Sequence, residues 1–190
     1  MNNADNLVFA SRTLDNGVTV EVLQDTDPLN PRDWDNESLM LCFHKRYTTL
    51  GDSNTGYNER DFDDWHQVYE QLRIDGYQSI LALFLYDHSG ISISAQSFLG
   101  RAPHAEWDSG QVGFIASKEI GHDTFLMNEV SDYNNYLTGN VYAFRIYKDT
   151  TCHSCSHSSQ EVFEYRGGYD TPDSALREGI SEANYVGASA

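Results

Sequence analysis

Ser79-Ile80-Leu81-Ala82-Leu83-Phe84-Leu85-Tyr86 carries seven apolar side chains in eight positions, so neither of its faces suits water. The run is too short for a buried helix and is bracketed by Gly76 and Gly90. Length and composition together predict a strand covered on both faces, in the middle of a sheet. Ile91-Ser92-Ile93-Ser94-Ala95 follows with alternating apolar and polar residues, the pattern of a strand with one wet face. Asp87-His88-Ser89-Gly90 between them is short enough to reverse the chain, which makes the pair a β-hairpin.

Further strands are predicted outward from this hairpin. Leu7–Ala10 and Val18–Leu23 are joined by a turn containing Asn16-Gly17, a pair suited to a tight hairpin. Ser38–Lys45 and Gln111–Ala116 are single strands, and Val141–Tyr147 with Glu161–Tyr165 forms a last hairpin whose tip runs over Lys148–Gln160. Asp61–Asp75 reads as a helix with Asn58 as its cap, an apolar face of Phe62, Trp65, Tyr69 and Leu72, and Asp61, Asp63 and Asp64 in its first turn. Asp123–Leu137 and a segment opening at Thr171-Pro172 supply two more helices. Asp25–Asn36 is a loop in which Trp34 is expected to anchor on the core. The fold class is therefore α+β: a single domain over 1–190, with a mainly antiparallel sheet of six or seven strands, about three helices packed on it, and frayed ends at 1–6 and 187–190.

Charge separates the functional classes. There are 29 acidic against 12 basic residues, a formal net charge of −17. Such a surface repels nucleic acid and anionic membrane and attracts basic proteins. No apolar run approaches the roughly 20 residues of a membrane-spanning helix, and the N-terminus lacks a basic start and apolar core, so a cytoplasmic location is expected. The acidity has two explanations. It imitates the phosphate array of DNA, or it serves solvation in a salty host.

Three constellations are candidates for chemistry. Asp87-His88-Ser89 and Asp108-Ser109-Gly110 each open a strand; turn chemistry alone accounts for both. If both turns lie at one end of the sheet, Asp87, His88, Ser89 and Asp108, joined by His44, place acid, base and hydroxyl together. Cys152, Cys155 and His157, in the last hairpin tip, have the spacing to give three ligands to zinc, the one cofactor the sequence suggests. Asp33, Asp35, Asp61, Asp63 and Asp64 are the carboxylates expected to meet a basic partner, with His44-Lys45-Arg46 pairing to neighbours such as Asp33 or Asp35. No G-x-S-x-G, H-E-x-x-H, P-loop or G-x-G-x-x-G pattern is present.

Pro31-Arg32-Asp33-Trp34-Asp35-Asn36, Cys42-Phe43-His44-Lys45-Arg46-Tyr47, Tyr86-Asp87-His88-Ser89-Gly90 and Trp107-Asp108-Ser109-Gly110-Gln111-Val112-Gly113-Phe114 together resemble a family of small uncharacterised proteins from bacteriophage and other mobile elements. The resemblance implies an accessory gene product acting on host machinery or host defences. The leading expectation is thus an acidic interaction protein, DNA-mimic-like, that binds a host protein with a basic surface and binds neither nucleic acid nor membrane. The alternatives are a hydrolase or transferase built on Asp87, His88 and Asp108, and a zinc-stabilised assembly protein.

Overall fold

The computed structural model describes residues 7–151 and 157–186. The chain forms two compact units, one from the segments up to Leu29 and from Gly139 onward, the other from Asn30–Thr138. The fold is α+β: among the described residues there are eight strands in two antiparallel four-stranded sheets, rather than six or seven in one sheet.

The Asn30–Thr138 unit is built around the predicted central strand. Its elements in chain order are β3 (Leu39–Cys42), α1 (Trp65–Ile74), β4 (Ser79–Asp87), β5 (Ile91–Ser94), α2 (Ala105–Asp108), β6 (Ser109–Ser117) and α3 (Asp123–Thr138). The strand order is β3-β6-β4-β5, so β4 is interior. Successive residues of β4 serve opposite faces, and each face is covered. Met40, Ile115 and Leu81 form one cross-strand row that joins Leu83, Leu85 and Ile93 against Leu126, Val130 and Tyr133 of α3. Leu41, Phe114 and Ala82 form the next row, packed with Val68 and Leu72 of α1. A strand without a polar face is stable only between two layers, and this sheet has them.

The other unit contains β1 (Val8–Thr13), β2 (Thr19–Gln24), β7 (Tyr142–Thr151), β8 (Ser158–Tyr169) and α4 (Pro172–Val186), with strand order β1-β2-β7-β8. Val18, Val20, Phe144 and Ile146 pack on Leu176, Ile180 and Ala183 of α4. Gly179 lets that helix approach: a Cβ there would sit 2.6 Å from Val20 Cγ1 and 3.0 Å from the Phe144 ring.

Three expectations need correction. The helix α1 begins at Trp65, not Asp61: Asp64 is its cap, its carboxylate accepting from Gln67 N at 2.9 Å, while Asn58 caps a separate 3-10 turn, Glu59–Asp61. Asp61 and Asp63 therefore precede the helix instead of forming its first turn. Trp34 does not anchor its loop, being 55% exposed. The anchor is Arg32, whose side chain is 2% exposed. Finally, the last hairpin is longer than predicted, because β8 is held by pairing with β7 and not by burial. Among the described residues no helix is long and apolar enough to cross a membrane.

Candidate functional site

The two Asp-Ser-Gly turns do meet. Because β4 and β6 are antiparallel neighbours with Tyr86 opposite Ser109, the end of β4 lies beside the start of β6. His88 Nδ1 lies 2.8 Å from Asp108 Oδ2. The His88 ring stacks on Tyr86 at 5.8 Å and on His104 at 5.9 Å, and Tyr86 stacks in turn on Phe98 at 5.4 Å. Asp87 faces elsewhere: its Oδ2 accepts from Arg46 Nη1 at 2.8 Å and from Tyr47 Oη at 2.9 Å. Arg46 thus pairs with Asp87, not with Asp33 or Asp35.

His44 is not part of the His88–Asp108 pair. Its Nδ1 accepts from the backbone N–H groups of Arg46 and Tyr47 at 3.3 and 3.1 Å, which fixes it as the acceptor nitrogen of a turn. Ser89 holds the left-handed turn position at φ +60°, and no hydrogen bond joins it to His88. An imidazole oriented by a carboxylate through one nitrogen can move a proton at the other. With a side chain 46% exposed, His88 is open to solvent. Among the described residues the His88 ring meets a carboxylate and two rings, so the arrangement is an acid–base pair and not a complete triad with Ser89.

The carboxylates expected to meet a partner fall in two segments. Asp33 ends the 3-10 turn Pro31–Asp33, and both it and Asp35 are exposed. Asp61, Asp63 and Asp64 lie on the shoulder that leads into α1, and all three are exposed. Among the described ion pairs, none uses any of these five residues. Beside the shoulder is a groove of about 370 Å³ lined by Phe43, Phe62, Trp65 and Val68 and rimmed by Glu59, Asp63 and Asp64. Its lining contains three carboxylates and no lysine or arginine. The sequence carried a sign of this groove in the spacing of Phe62 and Trp65, which read as a core-facing helical stripe. Glu59 gave no sign at all.

A second feature had no signature in the sequence. Arg32 forms a fork on Asp52, with Nε to Oδ1 at 2.7 Å and Nη2 to Oδ2 at 3.1 Å. Its Nη1 reaches Glu129 Oε2 at 3.0 Å and its Nη2 reaches the Ser38 carbonyl at 3.1 Å, while Ser38 Oγ bonds Glu129. Asp52 Oδ2 also accepts from Met40 N at 2.8 Å, which ties the cluster to β3. Burial opposes the charge on Arg32, but Asp52 and Glu129 hold its pKa above the ordinary value. Among the described residues no buried side-chain nitrogen or oxygen lacks a hydrogen-bond partner, and Arg32 directs all three of its guanidinium nitrogens into the protein, which is the role of a structural cluster.

Cys152 and Cys155 lie outside the described residues. His157 is exposed, and among the described residues no group of three or more His, Cys, Asp or Glu side chains is placed to hold a metal. Comparison of the chain with protein-family models, with curated proteins and with solved structures finds no match.

Proposed function

We propose that this protein acts by binding, and that its acidic shoulder docks on the basic, nucleic-acid-binding face of another protein. The observation that carries the reading is the shoulder itself: Glu59, Asp61, Asp63 and Asp64 within six residues, all exposed, none in a described ion pair, beside an aromatic groove. Four carboxylates crowded with a single arginine among them repel one another, and a cationic partner lowers that cost. On the sequence resemblance, the protein is an accessory product of a phage or other mobile element, and its partner is a host nucleic-acid-binding or defence protein in the host cytoplasm.

The test is competition. A histone-like DNA-binding protein is loaded with a labelled duplex at ~0.1 M salt, and this protein is added. Displacement of the duplex is expected, and the triple variant Asp61→Asn, Asp63→Asn, Asp64→Asn is expected to need about tenfold more protein for the same effect. Equal displacement by the triple variant refutes the shoulder as the docking surface.

The His88–Asp108 pair favours a second reading, in which His88 is the general base of a hydrolase or transferase. Ester or phosphoester turnover that survives His88→Ala eliminates it.

A further inference from the structure

The aromatic groove narrows the kind of cation that the shoulder accepts. Phe43 lies between two rings in near-parallel orientation: Trp65 at 6.0 Å and 14°, and Phe62 at 6.4 Å and 25°. Tyr57 extends the row beyond Phe62 at 6.5 Å and 29°. These rings are held on their far sides. Phe114 meets Trp65 edge-on at 6.0 Å, and Tyr57 Oη donates to Asp75 Oδ2 at 2.6 Å, at the other end of α1. Phe43, Phe62 and Trp65 remain only half-buried, and their outer surfaces line the groove. Exposed aromatic surface that stays in place without a partner is a platform ready for a flat or cationic group.

The rim is as well positioned as the platform. Gln67 holds both neighbouring carboxylates. Its backbone N–H bonds Asp64 Oδ1 at 2.9 Å, and its side-chain amide bonds Asp63 Oδ2 at 3.2 Å. Each carboxylate keeps unused acceptor positions, since an ionised carboxyl has about four. Arg60, the nearest cation in sequence, is not among the residues lining the groove. Although the groove sits at the N-terminal end of α1, three carboxylates there exclude an anion.

We propose that this groove receives one arginine side chain from the basic partner, its guanidinium lying against the Phe43, Phe62 and Trp65 rings and its N–H groups reaching Glu59, Asp63 and Asp64. The proposal rests on the binding reading above and specifies its anchor. Arginine fits better than lysine for two reasons. Its planar, weakly hydrated cation stacks on ring faces, and its fork of donors can serve more than one carboxylate at once.

The test compares three labelled probe peptides of one Gly-Ser host sequence, bearing arginine, lysine or the neutral isostere citrulline at the same positions. Fluorescence anisotropy is expected to show the arginine peptide binding at least about fivefold tighter than the lysine peptide, with the citrulline peptide failing to bind. Phe62→Leu is expected to erase the preference for arginine, bringing arginine binding down to the level of lysine binding. Because that variant can disturb α1, a wild-type measurement accompanies it: the Trp65 indole N–H resonance moves with the arginine peptide and stays still with the lysine peptide. Equal affinity for arginine and lysine, or a preference that survives Phe62→Leu with no movement at Trp65, refutes the arginine anchor and leaves the acidic surface standing. Binding of neither cationic peptide refutes both.

Discussion

Replacing Arg32 by Met tests whether the cluster beneath β3 supports the Asn30–Thr138 unit. The substitution keeps most of the apolar stem and removes the cation. The side chain is 2% exposed, and its partners Asp52 and Glu129 are 20% and 15% exposed. Two carboxylates would therefore be left together in a poorly hydrated site. Breaking a buried pair in this way costs about 3–5 kcal/mol, most of it from the stranded charge and not from the lost contact. In a chain of this size each kcal/mol lowers Tm by roughly 2–4 °C, so the expected drop is about 6–20 °C. Urea unfolding followed by tryptophan fluorescence gives the free energy directly, and calorimetry gives the shift in Tm. Stranded charge as the cause has a second consequence. Adding Asp52→Asn and Glu129→Gln to Arg32→Met removes the stranded charges and should restore about half of the loss. Arg32→Lys should fall between, because an ammonium cannot reproduce the fork on Asp52 while also serving Glu129 and Ser38. A loss below about 1 kcal/mol for Arg32→Met, the scale of an exposed ion pair, refutes the reasoning.

Three further outcomes follow from particular contacts. Gly113 in β6 lies opposite Cys42, and a Cβ there would enter the space of the Leu41 carbonyl oxygen; Gly113→Ala should cost about 3 kcal/mol or more in urea unfolding, because backbone cannot give way as a side chain can. Burial, reinforced by Asp52, pushes the Cys42 thiol from an ordinary 9.0 up to about 12. At pH 8 it should carry about a thousandfold less thiolate than an ordinary cysteine, so its alkylation, followed by peptide mass spectrometry, should be correspondingly slow until the protein is unfolded. The same shift predicts alkaline destabilisation. Above pH 9 the unfolded chain releases this proton and the folded chain keeps it, so stability present below pH 9 falls between about pH 9 and 12, by at most ~1.4 kcal/mol per pH unit. Buried Tyr133, raised chiefly by burial, adds its own decline above pH 10. Cys42→Ala should flatten the melting profile between pH 9 and 10, and an unchanged slope there refutes the assignment.

The parts of the fold legible in the sequence are those where burial marks the residues themselves. β4 announced itself because both of its faces are covered, and the Asn16-Gly17 turn because its backbone needs that residue pair. The division into two sheets was hidden, since it depends on partners distant in the chain. β2 and β7 pair across more than a hundred residues, and no local alternation records that choice. The full length of β8 was hidden for a related reason. Nine of its twelve residues are exposed and none is buried, so its ladder with β7 is what makes it a strand.

The candidate sites divide along the same line. His88 and Asp108 could be brought together on paper because antiparallel neighbours place the end of one strand beside the start of the next. Arg32 could not. Arginine is ordinarily an exposed residue, and its partners come from the loop after β3 and from α3, so nothing local marks it as the buried anchor of its loop. Asn58 and Asp64 both make sound caps, and residue type does not distinguish the one that serves a 3-10 turn from the one that opens α1.

How the scarce cations are used gives the acidic shoulder its meaning. Among the described residues, Arg32, Arg46, Arg145 and Arg166 form ion pairs that join different segments of the chain. With 12 basic residues against 29 acidic ones, most carboxylates have no basic residue to themselves wherever they lie. Solvation alone would be served as well by spreading them. Instead Glu59 and Asp61 stand just before Asp63 and Asp64 with only Arg60 among them. Glu59 and Asp61 precede the cap of α1 by five and three residues, too far to gain much from its dipole, so their net effect on folding is mutual repulsion. Glu59→Gln with Asp61→Asn should therefore raise stability slightly, by up to about 0.5 kcal/mol in urea unfolding, while weakening binding of the arginine peptide severalfold. A site kept for function at some cost to the fold gives those opposite signs. If the double variant is no more stable and binds the peptide as the wild type does, the clustering has no role in binding.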